Sequence, residues 1–235
     1  MRILAIDTST VAASVAVIED GKLLGEEYTS YKLKHSEKLL PLVKHLLEDV
    51  RLDIKDIDAF ASGSGPGSFT GLRIAAATVK AFAHVSSAPI ISVSSLHAAA
   101  YYPAKLCDVC CAMIDAQRND VYYNVYENKD GILMPLNEKD SIIDVDILLE
   151  SLKKYEKVMF AGDGIFKSGK SIERVLGNRA VTAPEGLILP RASAVGLIAV
   201  RKLEEGRDIF TYENYLPNYI RPSAAEEQRR KRKML

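Results

Sequence analysis

The first part of the chain changes from strand-like to helix-like spacing of its apolar residues. Residues 2–6 form a short apolar run typical of a buried strand. The runs 12–19 and 22–28 flank Asp20-Gly21, and Asp-Gly between two strand-like runs is a strong hairpin signal. From residue 36 to 50, leucine and valine recur every three or four positions. This spacing predicts an amphipathic helix, with Pro41 expected to bend its first turns.

Strands and helices then alternate up to Pro103. The pattern predicts a strand at 59–63, an alanine-rich helix at about 72–85, a strand at 89–93 and a short helix at 94–102. Strands that alternate with helices in this way indicate a mixed sheet covered by helices. We therefore expect a first lobe over residues 1–103, with a boundary at the proline.

The second half repeats the opening of the first. Ile6-Asp7 and Ile114-Asp115 lie 108 positions apart, and the same offset relates Val17 to Val125 and Glu19 to Glu127. Asp130-Gly131-Ile132-Leu133 then resembles Asp20-Gly21-Lys22-Leu23 after a two-residue insertion. A chance likeness between two hairpins is the alternative, but the shared acidic positions favour an internal duplication.

A strand that ends in Asp and is followed by a hairpin resembles the ribonuclease-H-like unit, and its duplication resembles the actin-like ATPase architecture. The fold class predicted is therefore α/β, with two ribonuclease-H-like lobes. A helix at 145–152, a strand at 157–161 and helices at 166–176 and 192–204 fit a second lobe over residues 104–222. Residues 223–235 form a basic tail, which is more typical of a solvated end than of a contact to nucleic-acid phosphates.

Composition excludes several classes of protein. The 235 residues carry 31 basic and 31 acidic side chains, so no overall field attracts nucleic acid or an anionic membrane. No run of about 18 apolar residues predicts a membrane span, and the N-terminal apolar run is too short for a signal peptide. Three clustered cysteines, Cys107, Cys110 and Cys111, fit buried thiols in a reducing cytoplasm, where we expect the protein to be.

Two segments are candidates for phosphate contact. Asp7-Thr8-Ser9-Thr10 follows the first strand, where an ATPase of this architecture would hold a phosphate and its Mg²⁺. The alternative is a tight turn in which the hydroxyls satisfy backbone groups. Residues 63–73 hold four glycines and a proline but match neither common phosphate-loop motif. They form either a weak anion site or a turn that positions the next helix.

The residue patterns of zinc sites, of serine hydrolases and of paired catalytic carboxylates are missing from the sequence. The four histidines, His35, His45, His84 and His97, do not have the spacing of a zinc site, and no metal site is predicted. No G-x-S-x-G elbow is present, and Asp7 has no evident carboxylate companion in its own lobe. No catalytic residue is therefore predicted.

Three stretches carry a resemblance to a known family. They are Ile3-Leu4-Ala5-Ile6-Asp7-Thr8-Ser9-Thr10, His35-Ser36 with Leu39-Leu40-Pro41-Leu42-Val43, and Gly65-Pro66-Gly67-Ser68-Phe69-Thr70-Gly71-Leu72-Arg73-Ile74. They resemble the bacterial TsaB (YeaZ) family, densely over about residues 3–97. Ile114-Asp115-Ala116, Val121-Tyr122 and Ala161-Gly162-Asp163-Gly164 extend the resemblance more thinly.

The resemblance implies a partner subunit rather than an enzyme. TsaB proteins resemble a degenerate paralogue of TsaD, which transfers a threonylcarbamoyl group to a tRNA adenosine beside the anticodon, and the ATPase TsaE joins them. The metal-binding histidine pair of TsaD is absent from Ser95-Leu96-His97-Ala98-Ala99. Function as a nucleotide-binding regulator, a small-molecule kinase or a metallopeptidase-like hydrolase is the alternative.

Pairing with TsaD is implied to use the two helices of the first lobe, and without TsaD a homodimer is expected. The alanine-rich helix is thin, and the helix at 36–50 has leucine on more than one face, although both helices could simply cover the sheet. ATP or ADP with Mg²⁺ would bind at the TsaD interface near Asp7, Thr8, Ser9 and Thr10, and no cofactor binds the chain alone. The expected interface residues are Ser36, Leu39, Leu40, Val43, Leu47, Phe69, Thr70, Arg73, Ala76, Ala77 and Lys80.

Overall fold

A six-stranded mixed sheet forms the centre of the first lobe in a computed structural model that describes residues 1–31, 34–129 and 132–221. Its strands are β1 (Arg2–Asp7), β2 (Ala13–Glu19), β3 (Lys22–Thr29), β4 (Ala59–Gly63), β5 (Ile90–Val93) and a short last strand described below. β1 to β3 form an antiparallel meander, and β4 and β5 add to β1 in parallel. Asp20 and Gly21 both have positive φ, as the predicted tight hairpin requires.

Two helices cover one face of this sheet. In α1 (His35–Asp49), Leu39, Val43 and Leu46 are buried against the sheet, and the helix runs through Pro41. α2 (Phe69–Ser86) begins three residues before the predicted start because the Ser68 hydroxyl accepts a hydrogen bond from the Gly71 amide at 3.3 Å. Both helices occur where apolar spacing predicted them.

The second lobe has the same strand order as the first. It contains α3 (Ser95–Tyr101), β6 (Val109–Asp115), β7 (Asp120–Lys129), β8 (Ile132–Pro135), β9 (Ser141–Asp144), α4 (Val145–Leu152), β10 (Val158–Ala161), α5 (Gly164–Leu176) and β11 (Ala180–Thr182). Sequence analysis placed the helix at 94–102 in the first lobe, but α3 packs in the second core through Leu96, Ala99 and Ala100, which corrects that boundary. The sheet order β11-β10-β6-β7-β8 corresponds to β5-β4-β1-β2-β3 in the first lobe. This repeated topology confirms the predicted fold class of two ribonuclease-H-like lobes.

Strand pairing in the two lobes differs by one residue. Ile6 pairs with Val15, but Ile114 pairs with Tyr122, because the turn after β6 is one residue shorter than the turn after β1. The structural counterpart of Val17 is therefore Asn124, and the predicted match of Val17 with Val125 was wrong. A slip of one residue reverses the face on which a side chain lies, so this difference changes what the second lobe buries.

The last helix returns to the first lobe. α6 (Ala192–Glu204) packs on the face of the first sheet that α1 and α2 leave open, and β12 (Ile209–Phe210) pairs with β5. The sequence placed both elements in the second lobe, over residues 104–222, and their packing corrects that placement. Central strand β1 is buried on both faces from Ile3 to Ile6, so it requires a second covering layer, which α6 supplies.

Two features predicted from the sequence, the basic run 229–233 and the Asp130-Gly131 turn, lie outside the described residues. Among the helices that the structure describes, none is both long and apolar enough to cross a membrane.

The close packing of α6 on the sheet gives the first prediction. A Cβ atom at Gly196 would lie 2.4 Å from Ile18 Cγ1 and 3.3 Å from Ala5 Cβ, so Gly196→Ala must displace the helix. We expect the free energy of unfolding to fall by about 1–3 kcal/mol, measured by urea denaturation.

Gly169→Ala in α5 is the matched control, because a Cβ atom there meets nothing within 4 Å. Alanine should stabilise that helix by about 0.5–1 kcal/mol. Equal effects of the two substitutions would contradict the close approach of α6.

Candidate functional site

The turn after β1 buries the carboxylate of Asp7 instead of exposing it. Asp7 is 1% exposed, and its Oδ1 accepts hydrogen bonds from the Ser9 amide at 3.1 Å and the Ser9 hydroxyl at 2.8 Å. Asp7 Oδ2 has no hydrogen-bond partner among the described residues and faces Gly63, where a Cβ atom would lie 1.9 Å away. Burial raises the pKa of Asp7 to about 6. A side chain enclosed in this way does not fit the predicted role of an Mg²⁺ ligand.

The glycine loop, residues 65–71, lies directly on this turn. A Cβ atom at Gly71 would be 1.9 Å from the Thr8 carbonyl oxygen, and one at Gly67 would be 2.3 Å from the Ser9 carbonyl oxygen. The Ser68 amide donates to the Ser9 carbonyl at 2.7 Å, and the Thr8 hydroxyl donates to the Gly71 carbonyl at 2.8 Å. Two backbones can approach so closely only where side chains are missing. The geometry therefore favours a loop that positions α2 over a loop that cradles phosphate.

A cleft of about 950 Å³ lies between the lobes beside this contact. Ser9 and Thr10 line it, but Asp7 and Thr8 do not. Across the cleft, Asp163 has its pKa raised to about 6, first by burial and also by the charge of Asp115. Of the four residues predicted to contact nucleotide, the structure brings only Ser9 and Thr10 to the cleft.

The second lobe contributes a similar turn with bulkier residues. Asp115 Oδ1 accepts a hydrogen bond from the Gln117 amide at 2.9 Å, as Asp7 does from Ser9. Gln117 and Arg118 both have positive φ, which is uncommon for residues with side chains. The exposed Arg118 side chain lines the cleft, and Arg221 closes its edge by pairing with Asp120 at 2.6 Å. The cleft therefore has cationic groups that the sequence alone did not identify.

The expected interface residues divide between surface and core. Ser36, Leu40, Thr70, Arg73 and Ala77 are exposed, and Phe69 and Lys80 are half-buried. The other four, by contrast, pack in the core beneath the helices: Leu39, Val43, Leu47 and Ala76. Placing these four on a contact surface was wrong, because they belong to the stripe that each helix turns toward the sheet.

Contacts within α2 and with the C-terminal segment hold the exposed face of α2, and no local sequence pattern indicated them. The Arg73 guanidinium lies 3.9 Å from the centre of the Phe69 ring, and this ring packs against the tilted ring of Tyr219, with 4.7 Å between the ring centres. The Lys80 ammonium donates to the Tyr215 carbonyl at 3.2 Å. Phe69, Arg73 and Lys80 are therefore already engaged within the chain.

One group of possible metal ligands occurs in the described part of the chain. His45 Nδ1 lies 2.8 Å from Glu27 and 3.8 Å from Asp49, and the ligand atoms of all three fall within 4.8 Å of one another. The hydrogen bond to Glu27 raises the pKa of His45, so the cluster is a surface ion pair when that histidine is protonated. His97 stacks on Tyr126 at 5.3 Å, and burial lowers its pKa to about 3.

Together these features define a class of protein. Two ribonuclease-H-like lobes with a cleft between them form the architecture of actin-like ATPases, but here the carboxylate of the first turn is enclosed by glycines.

Comparison with known proteins identifies the family. The family model described as "TsaD: tRNA N6-adenosine threonylcarbamoyltransferase" matches residues 22–229. The tRNA threonylcarbamoyladenosine biosynthesis protein TsaB of Bacillus subtilis is 31% identical, and that of Escherichia coli is 29% identical, each over 96% of both chains. The structure of YeaZ from Pseudomonas aeruginosa has a TM-score of 0.79 at 30% identity, over 93% of this chain and 99% of that one. The chain belongs to the TsaB (YeaZ) family of tRNA threonylcarbamoyladenosine biosynthesis proteins.

The enclosed carboxylate gives the second prediction. The pKa of Asp7 rises on folding from 3.8 to about 6, so its charged form destabilises the fold by about 3 kcal/mol. This penalty is absent below pH 4, develops as pH rises from 4 to 6 and is complete above pH 6. We expect Asp7→Asn to increase the free energy of unfolding at pH 7.5, by up to that amount, and to change it little at pH 4.

Urea denaturation at several pH values measures this effect. Asp108→Asn, at an exposed position, is the control and should not reproduce the pH-dependent gain. A loss of stability at pH 7.5 for Asp7→Asn would mean that the charged carboxylate has a favourable partner.

Proposed function

We propose that this chain is the non-catalytic partner subunit in the formation of threonylcarbamoyladenosine on tRNA, pairing with TsaD and acting in a complex with TsaE. The observation that carries the proposal is the contact between the glycine loop and the turn after β1. It uses the backbone of the ancestral phosphate turn for packing and leaves Asp7 without access to the cleft. A subunit built in this way contributes surface instead of a reactive group, and it meets tRNA only through the complex.

The surface proposed for pairing is the exposed part of α1 and α2. Leu40 is 56% exposed on α1, and Ala77 is exposed on α2 beside Thr70. Small side chains on α2 allow a partner helix to approach at the short end of the usual 8–10 Å distance between helix axes. Without TsaD, the same surface would pair with a second copy of this chain to form a homodimer.

A charge on this surface tests the proposal. Ala77→Glu places a carboxylate at an exposed position, so the lobe should remain folded while pairing with TsaD weakens at least tenfold. Ala76 does not serve this purpose, because it is 6% exposed in the core and a charge there would unfold the lobe.

Co-expression with TsaD from the same organism, followed by affinity capture and calorimetry, gives the measurement. The matched control is Ile147→Glu on α4, which is also exposed but belongs to the second lobe. Capture of TsaD at wild-type yield by the Ala77→Glu variant would contradict the assignment of the pairing surface to α1 and α2. An equal loss of TsaD capture in the Ile147→Glu variant would contradict it as well.

Nucleotide binding is proposed to depend on the partner. ATP or ADP with Mg²⁺ would occupy the cleft only where TsaD completes it, because the lone chain offers few free backbone donors there. The Ser9 amide already donates to Asp7, and the Ser68 amide already donates to the Ser9 carbonyl. Each missing charge-assisted hydrogen bond costs about 1.5–3 kcal/mol, so two would weaken binding by about a hundredfold or more.

Titration calorimetry of the isolated chain with ATP and Mg²⁺ should therefore show no binding tighter than about 1 mM that depends on Asp7. Addition of TsaD should produce measurable binding. Micromolar binding by the isolated chain, lost in Asp7→Ala, would instead favour a nucleotide-binding regulator that retains the ancestral phosphate site.

A further inference from the structure

A second cavity, of about 720 Å³, lies between the lobes and is separated from the first cleft by the C-terminal segment. Asn218 and Ile220 line both spaces, so this segment forms a wall between them. The second cavity is bordered by α3, β7, β8 and α6, away from the proposed pairing surface on α1 and α2. Its volume lies within the range of small-molecule sites, about 300–1,000 Å³.

The floor of this cavity is a connected set of polar side chains. Asp140 Oδ2 accepts a hydrogen bond from the Ser94 hydroxyl at 2.5 Å, and Asp140 Oδ1 accepts one from Asn124 Nδ2 at 3.0 Å. Asn124 is 3% exposed and occupies the strand position that corresponds to Val17 in the first lobe. Burying a polar amide costs free energy that an apolar residue would avoid, so the second lobe maintains a polar floor at a position where the first is apolar.

The charges around the cavity favour an anion. Lys202 pairs with Asp208 and Arg207 pairs with Glu205, whereas Lys139 and Arg201 form no ion pair within the described residues. The positive field reaches the interior of the cavity. Burial is the largest cause of the lowered pKa of His97, and the charges of Lys202, Arg201 and Arg207 lower it further.

The other charged groups at the cavity do not cancel its excess of positive charge. Glu138 is an exposed acid at the rim, and the Asp140 carboxylate is held by its two hydrogen-bond donors. Lys105 adds a further cation, 4.4 Å from the centre of the Tyr101 ring.

We propose that this cavity is a binding site for a small organic anion, whose carboxylate or phosphate is held by the Arg201 and Lys139 rim and whose polar body bonds to the Asn124–Asp140 floor. Arginine and lysine at a partly enclosed site bind such groups through charge-assisted hydrogen bonds. The ligand would occupy a space apart from the nucleotide cleft, so the inference does not rest on the proposed function.

Calorimetry and thermal shift on the full chain test the proposal, with AMP, inorganic phosphate and succinate as probes at up to about 1 mM. We expect saturable binding of AMP or succinate. Binding of AMP and phosphate but not of succinate would identify a phosphate ligand. Binding of succinate but not of phosphate would identify a carboxylate ligand. Arg201→Glu and Lys139→Glu should each weaken the binding about tenfold, since each replaces a cation at the rim by an acid.

Arg118→Glu is the matched control, because Arg118 is an exposed arginine that lines the first cleft instead. It should leave binding of the probes unchanged, and Arg201→Glu should leave pairing with TsaD unchanged. Absence of saturable binding by all three probes would overturn the proposal. Binding that Arg118→Glu removes and Arg201→Glu retains would overturn it as well, since the ligand would then occupy the first cleft.

Discussion

The contact between two backbones, the turn at residues 7–10 and the glycine loop at residues 65–71, is the constraint on which the first lobe depends. A side chain at Gly67 or Gly71 would overlap the carbonyl oxygens of Ser9 or Thr8, so this approach is possible only with glycine. The contact fixes where α2 begins and the direction in which it leaves the sheet. Gly67 and Gly71 therefore serve the packing of the loop on the turn.

This packing changes the environment of the acid in the first lobe, while the ATPase-like architecture is retained in both lobes. The carboxylate at the end of β1 is still present, but Gly63 encloses it and burial raises its pKa. The corresponding Asp115 of the second lobe remains exposed and contacts Lys167. The two lobes thus share a topology and a turn, whereas the environment of the acid differs because one lobe closes over it.

Local sequence patterns were sufficient for most of the secondary structure. Apolar spacing located α1, α4 and α6, and the Asp20-Gly21 hairpin and the repeated strand topology were also predicted. These features depend on residues close in sequence, for which period and turn chemistry are direct physical signals. The match of Val17 with Val125 was wrong because one residue fewer in a turn shifts the register, and an offset in sequence does not reveal register.

The sequence by itself determined the α/β class, the two-lobed topology and the membership of the TsaB family, since each follows from local periodicity or from a specific motif. Only the tertiary structure decided which side chains face the cleft, the core or the solvent. Leu39 and Leu40 are neighbours in sequence, yet one is 1% exposed and the other 56%. The polar floor around Asn124 likewise joins β7 to the segments before α3 and β9. Such contacts depend on how distant elements pack, and no pattern within one segment contains that information.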